Sequence, residues 1–257
     1  MTLQEQYVAF TTIVRKEIKR YLRIWTQTLL PSAITMSLYF VIFGSLIGSR
    51  IGEMGGFTYM EFVVPGLIMM AIVTNSYSNV VSSFFGSKFN HSVEELLVSP
   101  VPNYVILMGY VVGGVTRGML VAVVVTIVSL FFTKLHIHSY FVVVVIVLMT
   151  STLFALAGFI NAVYANSFDD ISIIPTFVLT PLIYLGGVFY SMDLLPEFWA
   201  NVSKLNPLVY VVNAFRYGVL GVSDVSLPFA LGMITLFTAA AFSYSMHLLN
   251  SGKRLRQ

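Results

Sequence analysis

The 257-residue chain has no cysteine, and Lys, Arg, Asp and Glu together make up only 10% of it. The first absence excludes a disulfide framework and a thiolate metal site. The second excludes an ordinary water-facing surface, because a soluble globular domain carries about 25% charged residues. Nucleotide chemistry is missing as well. No Gly-x-x-x-x-Gly-Lys-Ser/Thr phosphate loop occurs, and Gly86-Ser87-Lys88 has neither that spacing nor a strand ahead of it. There is no His-Glu-x-x-His motif, and His136 and His138 lie two apart on a predicted outer turn, a poor metal pair. No cofactor, metal, catalytic residue or nucleic-acid partner is therefore expected on this chain.

What is present is apolar: hydrophobic residues make up 57% of the sequence. Crossing about 30 Å of hydrocarbon takes about 20 helical residues. Six stretches meet this, at 26–48, 58–82, 104–132, 140–164, 171–190 and 227–249, the fifth short and the third long. They are continuous rather than alternating, which favours helices over barrel strands. The Val- and Ile-rich run Tyr140 to Leu148 would suit a strand in water, but lipid offers the backbone no competing partner, so a helix is expected there too. The sequence thus predicts an all-α integral membrane protein, with a transmembrane domain at 26–249 between an interfacial helix at 1–25 and a basic tail at 250–257. The first apolar run follows five basic residues and is too long for a cleavable signal peptide, so it is expected to stay as a span.

Charge asymmetry sets the orientation. With both termini in the cytoplasm, the inner segments hold Arg15, Lys16, Lys19, Arg20, Arg23, Lys88, Lys253, Arg254 and Arg256, and the outer ones hold Arg50, Lys134, Lys204 and Arg216. The N-terminal segment reads as two faces. Tyr7, Phe10, Val14, Ile18, Tyr21 and Trp25 form one stripe at about 100° per residue, and the five basic residues form the other side. Such a helix lies at the membrane interface with its basic face toward anionic headgroups.

The loops carry the next candidates. Ser92 and Glu95 have capping-box spacing, which predicts a short helix from Val93 carrying Glu94 and Glu95 and stopped by Pro100 and Pro102. The Asn166–Asp170 loop is acidic, and Asp169 and Asp170 suit the N-terminus of the fifth span, where the helix dipole favours negative charge. Residues 191–226 are too polar and Pro-rich to span, yet hold Phe198, Trp199, Tyr210, Phe215 and Tyr217. Short helices dipping into the outer interface are expected, broken at Asn206-Pro207.

Polar residues within spans are functional candidates by default. Arg117 lies midway along the third span among Gly113, Gly114 and Gly118, which permit close helix approach, so a neighbouring carbonyl or carboxylate is its expected partner. Asn75, Ser76, Tyr77, Ser78 and Asn79 form a polar run deep in the second span, so Asn75, Tyr77 and Asn79 are expected either to line a pathway or to bond between helices. Glu61, near the outer end of that span, is expected to reach water.

Between Leu179 and Arg216 runs a spaced pattern: Leu179, Leu182, Leu185, Gly186, Val188, then Leu195-Pro196, then Pro207-Leu208, Tyr210 and Arg216. In spacing and residue class it resembles the C-terminal pattern of ABC-2-type transporter permeases, and the hydrophobic spans, basic N-terminal helix and long outer segment fit that family over nearly the whole chain. The resemblance implies the permease subunit of an ATP-binding-cassette exporter of the type V kind, with a re-entrant segment between spans 5 and 6. It also implies a separate ATPase in two copies that binds ATP and magnesium, a homodimer of this chain, and residence among the lipids of a bacterial inner membrane. The N-terminal helix and Ser92, Glu94, Glu95, Asp169 and Asp170 are then the candidate ATPase contacts. The implied cargo is amphipathic: a lipid-linked glycan or polysaccharide, or a drug-like molecule. Two other classes compete. An ion-coupled secondary transporter needs paired midplane acids or repeat-related broken helices, and a membrane scaffold without transport does not need the Leu179–Arg216 pattern.

Overall fold

The computed structural model describes residues 1–252, so Lys253, Arg254 and Arg256 of the expected basic tail lie outside the described residues. Helix α1 spans Leu3–Arg23, and Thr2 and Glu5 close a reciprocal capping box at its start. The first apolar stretch is not one uniform helix. It comprises α2 (Trp25–Thr28), α3 (Leu30–Phe40), a π-helical run Val41–Ile47 and α4 (Gly48–Ile51). A small hairpin follows, β1 (Glu53–Met54) against β2 (Phe57–Thr58), which the sequence reading did not anticipate. Gly55 and Gly56 turn it, with φ of 59° and 82°. Two positive φ angles in succession suit the twist of a tight hairpin and favour Gly-Gly.

Helix α5 (Tyr59–Phe89) is the hub, with α7 (Asn103–Ser129), α8 (Tyr140–Tyr164) and α12 (Pro207–Leu220) packed around it. Among lipid tails, apolar burial alone does not drive helices together, so close packing has to do so. Small residues permit it: a Cβ on Gly158 of α8 would lie 2.5 Å from the Tyr77 carbonyl oxygen of α5. The short α6 (Ser92–Val98) links α5 to α7. Helix α9 (Asp170–Ile174), a π-helical run Pro175–Leu179 and α10 (Thr180–Tyr184) follow α8. The outer segment folds as a 3-10 turn at Met192–Leu194, α11 (Glu197–Ser203) and α12, and α13 (Leu227–Ser251) closes the described chain.

Among the described residues, five helical stretches are long and apolar enough to cross a membrane: Trp25–Gly44, α5, α7, α8 and α13. The expected fifth span at 171–190 departs from its prediction. Its helix covers Asp170–Tyr184, and beyond Leu185 the chain turns at Gly187, where φ is 74°. The sequence pattern ran on because residues 185–190 stay apolar, although a left-handed backbone ends the helix there. Helices α5, α7 and α8 are largely buried within the chain, while the first stretch and α13 present most of their surface outward.

Candidate functional site

The polar run of α5 meets arginines from two neighbouring helices. Arg117 on α7 is buried and donates from Nη2 to Asn75 Oδ1 at 2.9 Å and to the Thr28 carbonyl at 3.3 Å, so its partners are an amide and a carbonyl rather than a carboxylate. The Asn75 amide in turn donates to Ser32 Oγ at 2.9 Å. One turn along, Arg20 of α1 donates from Nη2 to the Asn79 carbonyl and to Asn79 Oδ1, both at 2.9 Å. Asn75, Ser76, Tyr77 and Asn79 are buried. The side of α5 left open carries Met70, Thr74, Ser78, Ser82 and Gly86, spaced four apart. Spacing of four along a helix marks one face, which was the available signal for this stripe.

Helix α1 buries a sector that only the edge of the expected apolar stripe, at Tyr21, reaches. Ile13, Glu17 and Tyr21 face inward, while Tyr7 and Trp25 of the apolar stripe stay exposed. The buried sector lies at the border between the apolar and basic faces, so Arg20, expected to face lipid headgroups, turns toward α5. Glu17 is fully buried. Its carboxylate accepts from Ser83 Oγ at 2.5 Å and from Arg20 Nη2 at 3.3 Å. An acid among the basic residues of α1, one turn from Ile13 and one from Tyr21, was the signal that could have found it.

The same end of the bundle holds the loops. Helix α6 starts at Ser92 rather than Val93, and its cap is His91 in a left-handed conformation with φ of 58°. The expected Ser92–Glu95 box does not form, because the Ser92 hydroxyl is drawn back to the Ser87 carbonyl at 3.0 Å. Val93 anchors the short helix in the core, Glu94 is half-buried beside His91, and Glu95 and Val98 are exposed. Lys88, counted among the inner surface charges, is buried and donates to the Val163 and Ala165 carbonyls at 2.9 and 2.7 Å. A cation at the C-terminal end of α8 complements its dipole.

Asp169 makes no side-chain cap on α9. Asp170 instead accepts from the N–H groups of Asn166 at 2.8 Å and Ser167 at 3.1 Å, and its own N–H bonds Ser167 Oγ at 3.1 Å. The reciprocal box thus sits at Ser167–Asp170. Phe168 closes the loop onto Phe85 and Phe89, both ring pairs 5.0 Å apart.

At the opposite end, the spaced pattern is a docking device. Asn206 caps α12 by accepting the Leu208 N–H at 3.0 Å and donates to the Leu182 carbonyl at 2.7 Å. Pro207 opens α12, where a missing N–H costs nothing. Gly186 lies against Leu208, and a Cβ on Gly66 of α5 would come within 2.6 Å of the Val188 carbonyl oxygen. Tyr210 Oη donates to the Lys204 carbonyl at 2.5 Å. Leu179 is buried, Leu182 and Leu195 are half-buried, Leu185 and Pro196 are exposed, and Pro196 caps α11. Arg216 lies inside the fold. It is fully buried, donates to the Gly187 carbonyl at 2.6 Å, lies 3.9 Å over the Phe62 ring and 4.0 Å from Asp224. Asp224 also accepts from Ser191 Oγ and the Met192 N–H. Glu61, expected at water, is partly exposed and also closes a capping box with Thr58 at the start of α5.

The profile of the ABC-2 type transporter family matches residues 8–220, a stretch that contains both the α1–α5 contact and the whole Leu179–Arg216 device. The chain belongs to that family. The Inner membrane transport permease YadH of Escherichia coli strain K12 is 56% identical over 250 residues, which cover 97% of this chain and 98% of that protein. Nodulation protein J of Neorhizobium galegae is 23% identical over 251 residues, covering 96% and 94% of the two chains. That of Rhizobium leguminosarum bv. viciae is 22% identical over 213 residues, covering 82% of each. As an ABC-2 protein the chain is a transport permease subunit, and the family implies association with an ABC ATPase.

Proposed function

We propose that the chain is the membrane subunit of an ATP-driven exporter in a bacterial inner membrane, with two copies forming one pathway and each served by a separate ATPase. Both termini then face the cytoplasm. The Asp170–Tyr184 helix makes the sixth crossing, fifth in chain order, and residues 191–226 form the re-entrant outer segment. The observation that carries this reading is the open face of α5. Thr74, Ser78 and Ser82 put a polar stripe on the one side that this inward-packed helix leaves open, and although the Thr74 and Ser82 hydroxyls donate back to the Met70 and Asn79 carbonyls, their remaining acceptor capacity suits water better than hydrocarbon. A wet pathway, closed by a second copy, suits it. The outward apolar surface supports the same assembly, notably Ile34 and Leu38 of α3 and Phe177 ahead of α10. In this reading Asn75, Tyr77, Asn79 and Arg117 hold the pathway helix in place, while Thr74, Ser78 and Ser82 face the cargo. The cargo is an amphipathic molecule, either a lipid-linked glycan or polysaccharide or a drug-like compound.

The ATPase contact is assigned to α6 and the Asn166–Asp170 loop, which share one end of the bundle with α1. Replacing Glu94 and Glu95 together by Lys should leave insertion and folding intact. It should reduce co-purification of the ATPase or separate its hydrolysis from transport, because charge reversal spoils a complementary interface. Wild-type co-purification and wild-type hydrolysis in the double variant would remove α6 from the contact.

A further inference from the structure

A groove of about 270 Å³ runs between α7 and α8 in the half of the bundle that carries α12. Met119, Val123 and Ile127 mark its wall on α7, Val144 and Val147 its wall on α8, and Phe215 of α12 its floor. Val121 and Val125 turn into the core, whereas Val123, Ile127 and Val144 are more than half exposed, so the groove looks outward. Its lining shares no residue with α3 or Phe177, the surface assigned above to a second copy.

Length and chemistry fit one occupant. The rise from Met119 to Ile127 along α7 is about 12 Å, against about 15 Å for one leaflet of the hydrocarbon core. Water is a poor filler, because it needs several polar partners and Thr126 is the one polar side chain in the lining. An acyl chain in the groove touches protein on three sides, whereas on a smooth helix face it touches on one. Among lipid tails such contacts, rather than apolar burial, decide what stays bound. The connection 130–139 joins the two helices across the mouth of the groove. Phe131, Tyr140 and Phe141 around it are strongly exposed, as aromatic rings are at the level of lipid headgroups. Lys134 is exposed in that connection, which contains no Asp or Glu. Mouth and floor are tied together, since the His138 and Ser139 N–H groups donate to the Val219 and Gly218 carbonyls of α12 at 3.0 and 2.9 Å.

We propose that this groove is a phospholipid site: one acyl chain lies between α7 and α8 against Phe215, and an anionic headgroup meets Lys134. Phe215 precedes Arg216, which ties α12 to Phe62 and to the Gly187 carbonyl, so the tail packs behind the helix that carries that tie. The site takes a resident lipid rather than cargo and stands apart from the ATP-driven reading above.

The test is photo-cross-linking of the full chain in lipid nanodiscs doped with phosphatidylglycerol or phosphatidylethanolamine, each carrying a diazirine midway along one tail. Mass spectrometry locates the labelled residues, and Leu236 on α13, about as exposed as Val123, serves as the reference. With phosphatidylglycerol, labelling at Ala122, Thr126 and Val147 should exceed that at Leu236 about tenfold, the ratio for roughly 1.4 kcal/mol of preference. Phosphatidylglycerol should label the groove about fivefold more than phosphatidylethanolamine, as for about 1 kcal/mol per cation near a charged surface. Lys134→Gln, on an exposed connection, should abolish that difference and leave the fold unchanged. Ala122→Phe fills the groove and should lower labelling at Thr126 and Val147 to the Leu236 level. Val144→Phe, at the exposed edge, should do the same where Ala122→Phe does not fold. Labelling no richer in the groove than at Leu236 overturns the site, as does groove labelling that survives both Phe substitutions. Equal labelling by the two lipids overturns the anionic headgroup. Cross-links between the grooves of two copies would give this surface to a second chain and overturn the lipid.

Discussion

Gly113 on α7 and Glu17 on α1 face each other so closely that a Cβ on Gly113 would lie 2.6 Å from the Glu17 Cβ. The buried carboxylate reaches Ser83 only because α7 has no side chain at that position. Gly113→Ala should therefore push α1 away from the bundle at a cost of about 1–3 kcal/mol, the usual range for overpacking. Thermal unfolding of the detergent-solubilised protein measures it, and a midpoint equal to wild type would mean that α1 yields without strain.

Asn75 and Arg117 make a second testable pair. Asn75→Ala leaves the buried guanidinium with the Thr28 carbonyl alone, which should cost about 1.5–3 kcal/mol, as for a lost hydrogen bond to a charged group. Adding Arg117→Met should recover part of that loss, because the unpaired charge goes with it. A double variant less stable than Asn75→Ala alone would show that Arg117 is held by something other than Asn75.

Arg216 is the third case. Its guanidinium lies over Phe62 and bonds the Gly187 carbonyl, tying α12 to α5 and to the turn after α10. Arg216→Lys keeps the charge but loses the planar stack, which for a desolvated cation on a ring is about 2 kcal/mol. Unfolding in the same assay should fall accordingly, and Phe62→Leu should make the Arg-to-Lys change nearly neutral. Equal stability of Arg216→Lys and wild type would leave charge alone as the reason for an arginine here.

Much of the helical layout was legible because lipid imposes a simple length rule. The run Tyr140 to Tyr164 forms one helix despite its β-branched residues. The Leu179–Arg216 spacing was legible as a pattern but not as a mechanism, since only the folded chain brings Gly186 to Leu208 and Arg216 to Gly187. Other features were hidden for definite physical reasons. Glu17 looks like a solvated charge among basic neighbours until Gly113 and Ser83, distant in sequence, are placed beside it. The box read at Ser92–Glu95 fails because a nearer acceptor, the Ser87 carbonyl, takes the hydroxyl. The end of the fifth stretch at Tyr184 and the π-helical runs at Val41–Ile47 and Pro175–Leu179 leave no trace in hydropathy, which reports how apolar a segment is and not how it is wound.

As proposed, this chain moves cargo with energy released on another polypeptide. The most direct test is ATP hydrolysis by a tagged form of the chain isolated from its own membranes in mild detergent, before and after every other polypeptide is stripped away. Saturable hydrolysis should travel with a second, nucleotide-binding subunit and disappear with it, since no phosphate loop occurs in these 257 residues. Hydrolysis that persists in the single purified chain and saturates with ATP would contradict it.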